Sequence, residues 1–441
     1  MLLKIKKYLK KKVKIHREKN IFYLTALIHI LKYIFNKKFR KDRCIIDPSE
    51  GFFYKYRKFS EYFSLPLVLI GKYLKKKKIF ISVNNNCNFS IGHIYSEIDQ
   101  LKRIHHLNNK YLDSKIWFTT TRKEILGETR YLFENENFRI LTGGLKHFIL
   151  SFVAMNYQTV AIDGSLGMYN CIKGTNNTPD NIYHTKAKYR AKLISNSPDF
   201  YPNKNKINKF NEKKNKLLKN LGIIKDYVIF QIKTEKVNGT FEPLNPLSLL
   251  ESIKYFQSKN YQIVFAGRES CPEIFLNNHV INYANSKYAS PLNDFLLVGY
   301  CTFVIASASG FCMLPENLDK PLLTINSVHG IQHYGRRTIY LPTQLSRNYE
   351  NFSAKVQHEY LCKYGPDCGK SFFDDLYVHH MPNSQEILMA SKELESMLSH
   401  QIPNLTPLQK QIRDNGTCPL ISYGLSRISD YYLKKHINFF K

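Results

Sequence analysis

The stretch Asn293–Asn326, NDFLLVGYCTFVIASASGFCMLPENLDKPLLTIN, constrains the fold of this chain more than any other. It reads as helix, strand, tight small-residue turn, helix, strand. Thr302–Ala306 is apolar and β-branched, the pattern of a strand buried on both faces. The run stops at Ser307-Ala308-Ser309-Gly310, and a second apolar stretch follows at once. A strand that ends in small hydroxyl residues and opens a helix makes an anion site. First-turn N–H groups lack intrahelical partners, and the helix dipole favours negative charge there. Helix capping by Ser309 accounts for the same residues, so the turn alone leaves both readings open.

The same alternation extends in both directions. Downstream of residue 225, strands are expected at Tyr227–Ile232, Gln262–Ala266, Val280–Asn282, Thr302–Ala306 and, last, Leu322–Ile325, with helices at Pro246–Gln257 and Leu292–Val298. Upstream, Lys78–Val83, Ile116–Thr119, Phe138–Leu141 and Thr159–Asp163 are strand candidates. His93–Leu107 reads as a helix with an inward stripe of Ile94, Ile98, Leu101 and Ile104. Gly143-Gly144 reads as turn chemistry, and no phosphate-loop glycine pattern occurs there. Strand and helix alternating at this spacing imply an α/β fold with a mainly parallel sheet. The polar, lysine- and asparagine-rich stretch 196–226 is the best linker. It separates an α/β unit at 79–210 from another at 211–380, preceded by a basic helical extension at 1–78 and followed by helices at 381–441.

Charge enters at the N-terminus. The net charge is +30, but lysine, asparagine, isoleucine and tyrosine are abundant together, as a coding bias toward A and T would produce. Much of the positive charge falls in residues 1–78, where Leu2, Ile5, Leu9 and Val13 recur at helical spacing among lysines. Ile21–Phe35 is apolar but is interrupted by His29 and Lys32, and it falls short of the roughly 20 residues a membrane crossing needs. A basic segment with a short apolar helix fits peripheral contact with an anionic membrane surface. It equally fits a solvated basic helix beside a packed one. No recognisable nucleic-acid motif is present, and aromatic residues are not grouped with the charge. The nine cysteines are scattered and show no zinc spacing, so neither a metal nor a cofactor is expected, and a reducing cytoplasm is the simplest compartment.

In a parallel sheet, ligands bind beyond the carboxyl ends of strands. Three such ends in the second unit carry anion chemistry: Gln231 and Lys233, then Gly267 and Arg268, then Ser307, Ser309 and Gly310. Together they form a candidate diphosphate clamp. His329 and His333 follow the last expected strand, with Arg336 and Arg337 close by, and solvent exposure is their default. In the first unit Gly92 and His93 stand at the mouth of the first strand–helix loop, with Glu97 one helical turn on. His93 can serve as general base or acceptor ligand, and Glu97 can orient it or act as the base. A packing or capping role is the commoner fate of such residues.

These segments resemble the glycosyltransferases encoded in bacterial surface-polysaccharide clusters. The likeness rests on IGHIYSE, on FAGR at a strand end, on LNDFLLVGYCTFVIASASGF followed by KPLLTIN, on IYLPTQL and on the late MPNSQEILMASKELESML. It spans residues 80–400 and is carried by order and spacing. The resemblance implies a GT-B-like architecture: two Rossmann-like domains facing across a cleft, the C-terminal one for a nucleotide-sugar donor and the N-terminal one for the acceptor. It also implies that Glu316 bonds donor ribose hydroxyls and that a late helix returns to the first domain. Lys233 departs from the arginine expected there and offers a point charge in place of a fork.

The function expected is therefore metal-independent transfer of a sugar from a nucleotide-sugar to a glycan or lipid-linked glycan acceptor, on the cytoplasmic side of the cell membrane. A basic nucleic-acid-binding protein and a non-catalytic α/β scaffold of a polysaccharide assembly complex are the competing readings.

Overall fold

A computed structural model of the chain describes residues 64–84, 91–107, 113–120, 126–157, 195–197, 208–234, 243–328, 335–348, 350–357, 378–398, 402–415 and 425–440. The expected strand at Thr159–Asp163, most of the basic extension, and His329 and His333 lie outside them. By internal contacts the chain divides into two units. One comprises Met1–Phe89, Lys110–Glu124 and Glu134–Gly164; the other comprises Ser90–Asn109, Ile125–Phe133 and Ser165–Lys441.

The first unit holds a parallel sheet of β1 (Ile79–Val83), β2 (Lys115–Thr120) and β3 (Phe138–Thr142), in that order. Helices Ser64–Lys76 and Gly144–Asn156 pack against it through Leu74, Leu150, Val153 and Ala154, over Ile79 and Ile81. Gly71 permits that packing: a Cβ there would lie 2.5 Å from the Tyr157 ring. Gly143 makes the turn between β3 and the second helix at φ 125°, a conformation only glycine adopts without strain.

The second unit is built on a larger sheet. Its strands are β4 (Tyr227–Gln231), β5 (Gln262–Phe265), β6 (Ile281–Asn282), β7 (Val304–Ser307), β8 (Leu322–Val328), β9 (Thr338–Arg347), β10 (Glu350–Asn351), β11 (Val378–His380) and β12 (Arg427–Ile428). The spatial order is β10-β9-β8-β7-β4-β5-β6, with β11 and β12 also paired to β9. All pairs from β6 across to β9 are parallel. Every residue of β4 and of β7 is buried, as their unbroken apolar runs require. Leu322–Ile325 is not the last strand. The sheet continues through β9, whose Pro342 lies opposite Ser327 where the register slips between Ile325 and Ser327. Asn326 takes φ 62° at that irregularity, and a bulge is where a sheet tolerates a proline, which lacks the ladder N–H.

The late helix, Ser384–Glu395, is capped by Asn383. Asn383 accepts from the Glu386 N–H while the Glu386 carboxylate accepts from the Asn383 N–H, a reciprocal capping box. Ile387, Ala390 and Leu394 from this helix enter the core of the second unit, beside Phe256, Ile339 and Leu341. The C-terminal aromatics join the same core, with Tyr432, Phe439 and Phe440 buried. Lys435 and His436 both reach Glu386 Oε1, each at 2.7 Å.

Candidate functional site

The strand order of the second unit reverses direction at β4. From there the chain steps outward through β5 and β6, then returns to the other side of β4 for β7, β8 and β9. At such a switch point the connections leaving two neighbouring strands part to opposite sides, opening a crevice at the strands' carboxyl ends. The switch falls between β4 and β7, the two strands whose ends carry Gln231 and Lys233 on one side and Ser307, Ser309 and Gly310 on the other.

Side chains tie these ends together. Ser309 Oγ donates to Gln231 Oε1 at 2.9 Å and accepts from the Phe311 N–H at 3.3 Å, capping the 3-10 turn Gly310–Cys312. The Lys233 N–H donates to Ser307 Oγ at 3.2 Å. Gly267, at φ 115°, ends β5 against the Gln231 side chain; a Cβ there would lie 3.0 Å from Gln231 Cγ. Ser309 is therefore a cap as well as a candidate ligand. Its hydroxyl fixes Gln231 and the turn, whose Ala308, Phe311 and Cys312 N–H groups are bonded within the protein, to Ile325 O, Ser309 Oγ and Ser309 O.

Around this frame lie the charges. Burial pulls the Lys233 ammonium below the ordinary lysine range, and the neighbouring Glu269 charge opposes that pull. Glu269 Oε2 also accepts from the Thr234 N–H and hydroxyl, at 2.5 and 3.2 Å, and so holds the segment leaving β4. Arg268 is exposed beyond β5. Its charge reaches Asp294, whose carboxyl burial pushes up to about 6 while the Tyr283 hydroxyl donates to it at 2.6 Å. Thr234, Glu269 and Asp294 were not singled out from the sequence. Glu269 had a signal, since it directly follows Gly267-Arg268 at a strand end; Asp294 looks like any acid in a helix's first turn.

Helix Ile91–Leu107, which carries Glu97 and begins with His93 in its first turn, belongs to this unit by contacts. Tyr95 stacks between Phe133 and Phe295, at centroid distances of 5.2 and 6.3 Å. Arg103 pairs with Asp99 at 2.8 Å and donates to Ser197 at 2.9 Å, so these two buried charges are matched. The helix start meets the turn after β7 backbone to backbone: a Cβ on Gly92 would lie 2.4 Å from both Cα and O of Gly310. The IGH and ASASG segments, far apart in sequence, thus converge. Glu97 is buried at 5% exposure, and the His93 side chain lies outside the described residues. Glu316 follows the turn after β7, and its charge acts on Cys312, whose Sγ donates to the Ser307 carbonyl at 3.3 Å. Glu316 Oε1 accepts from the Gly335 N–H at 3.4 Å and from Thr338 Oγ1 at 3.3 Å, bracing the approach to β9.

The fold is α/β with parallel sheets. No family model and no curated relative matches the sequence. Among solved structures, the chain is similar to a glycosyl transferase of family 9 from Veillonella parvula, with a TM-score of 0.43 and 11% identity over 72% of this chain and 97% of that one. It is similar also to the dodecameric iron-containing heptosyltransferase TibC in complex with ADP-D-beta-D-heptose, with a TM-score of 0.42, 14% identity, and 74% and 79% of the two chains covered. A third is the E. coli ADP-heptose lipopolysaccharide heptosyltransferase II, with a TM-score of 0.40, 11% identity, and 60% and 90% covered.

Proposed function

We propose that the chain is a glycosyltransferase of GT-B type that binds a nucleotide-sugar donor at the carboxyl ends of β4, β5 and β7. The observation that carries this reading is the coincidence of the sheet's switch point with three strand ends bearing anion chemistry. The donor diphosphate sits on the Ser309-Gly310 turn, with Lys233 and Arg268 as its cations and Gln231 and Ser307 holding the turn in place. The acceptor hydroxyl attacks the anomeric carbon, and the bond from that carbon to the diphosphate oxygen breaks. Its electron pair leaves with the phosphate. Negative charge therefore grows where the turn and the two cations stand, which is where stabilisation accelerates the reaction. His93 or Glu97, on the helix that abuts the turn, takes the acceptor proton. No step calls on a metal. The acceptor is a glycan or lipid-linked glycan of surface-polysaccharide synthesis, on the inner face of the cell membrane.

The test is thermal stabilisation of the full chain by a panel of nucleotide sugars and free nucleoside diphosphates. One nucleotide class should raise the melting temperature in a saturable way. No shift with any member would remove the donor reading.

A further inference from the structure

Helix Ser64–Lys76 turns Leu74 and Gly71 to the sheet of the first unit and leaves its opposite face to solvent. That outer face carries an apolar stripe beside lysines. Leu69 is 56% exposed, Ile70 38% and Tyr73 58%, and Pro66 is exposed as well. On a helix, positions 66, 69, 70 and 73 fall on one stripe, as i, i+3, i+4 and i+7. Lys72 and Lys76 flank the stripe one turn apart, and Lys75, Lys77 and Lys78 extend the charge into the start of β1. All five lysines are exposed, and no acidic residue occurs between 64 and 84. The helix is 13 residues, about 20 Å at the usual rise, and no helix among the described residues is long and apolar enough to cross a membrane.

We infer that the outer face of helix Ser64–Lys76 is a docking surface for an anionic lipid bilayer, lying flat with Leu69, Ile70 and Tyr73 at the acyl boundary and the lysines among the headgroups. An apolar stripe bordered by one sign of charge matches a bilayer in both respects: the hydrocarbon edge takes the stripe, and anionic headgroups take the lysines. An acidic protein would satisfy the lysines but gives no general reason for the apolar stripe to be ringed by them. Vesicle binding should need no nucleotide, so failure of this inference and failure of the donor reading are distinguishable.

The test is co-flotation of the full chain with phosphatidylcholine vesicles containing about 30% or no phosphatidylglycerol, at low and high salt (concentrations of order 0.1 and 1 M, spanning strong screening). Binding should require the anionic lipid and weaken with salt. The Leu69→Ser, Ile70→Ser, Tyr73→Ser variant should lose about tenfold or more in partitioning, from the apolar area it no longer buries. The variant with Lys72, Lys75, Lys76, Lys77 and Lys78 changed to Gln should lose as much. Both should keep nucleotide-induced stabilisation. A Tyr73→Trp, Trp117→Phe protein, with its one indole at position 73, should show a blue-shifted emission on anionic vesicles, and this readout holds if the triple variant does not fold. Binding that survives both sets of substitutions would assign the contact to residues 1–63 and overturn the inference. Unshifted emission from the indole at position 73, or no vesicle binding at all, would do the same.

Discussion

Gly92→Ala asks whether the helix start and the turn after β7 are locked together. The added Cβ would sit 2.4 Å from Cα and O of Gly310 and 2.7 Å from its carbonyl carbon. Ordinary carbon contacts begin near 3.5 Å, so one backbone must move by about 1 Å, and none of the atoms met is a side chain that can rotate away. Overpacking of this kind costs roughly 1–3 kcal/mol. Helix propensity pulls the other way, since alanine in place of glycine favours a helix by up to about 1 kcal/mol. The clash should win, giving a net loss of up to about 2 kcal/mol once the full helix gain is subtracted. Gly299→Ala is the control. It lies in helix Pro291–Tyr300, and its Cβ would meet only Leu318 Cδ1, at 4.0 Å. There propensity acts alone, and the substitution should be neutral or stabilising. Denaturant melts of both variants, with nucleotide titrations by calorimetry, provide the readout. Gly92→Ala should melt earlier and bind nucleotide more weakly, and Gly299→Ala should do neither. Equal or greater stability of Gly92→Ala would refute the packing of these two segments.

Two further predictions concern acid and base behaviour. His147, buried in the first unit with Nδ1 3.3 Å from Thr119 Oγ1, is lowered by burial from 6.5 to about 4. The folded state thus binds fewer protons than the unfolded chain across that window, so stability should fall as pH drops from 6.5 toward 4. His147→Gln should flatten this limb in pH-dependent melts; an unchanged slope would show that His147 is not the group responsible. Asp294 has the opposite sign. Its folded value near 6, against 3.8 ordinarily, makes the folded state the better proton binder, so its contribution is lost as pH rises from 3.8 to about 6. Asp294→Asn keeps an acceptor for Tyr283 and should gain stability over the parent above pH 6 and not below pH 4; a constant difference would refute this assignment.

Much of the second unit could be read along the chain, because its central strands are buried on both faces and are therefore unbroken apolar runs. The polar residues at the ends of β4, β5 and β7 were legible for the same reason, since each run stops abruptly there. What could not be read is pairing. That β4 and β7 are neighbours, with the switch point between them, depends on contacts 74 residues apart, such as Lys233 to Ser307. The close approach of Gly92 to Gly310 is likewise invisible locally, since each glycine reads as a loop residue. Strand β9 was hidden by Pro342, which argues against a strand until the bulge at Asn326 is known. Glu316 shows the converse limit: a sequence can nominate a carboxylate, but its partners at Gly335 and Thr338 come from a segment further along the chain.

The central claim is that the crevice at β4 and β7 binds a donor diphosphate through Lys233 and Arg268. Replacing both side chains with alanine keeps the Lys233 N–H bond to Ser307, because that donor is on the backbone, and Arg268 is exposed. Calorimetric titration of the parent and of the Lys233→Ala, Arg268→Ala variant with the stabilising nucleotide is the most direct measurement. Saturable one-site binding is expected of the parent, and at least a hundredfold weaker binding of the folded variant, as loss of two charged contacts of about 1.5–3 kcal/mol each implies. Equal affinity of the two proteins would contradict the claim.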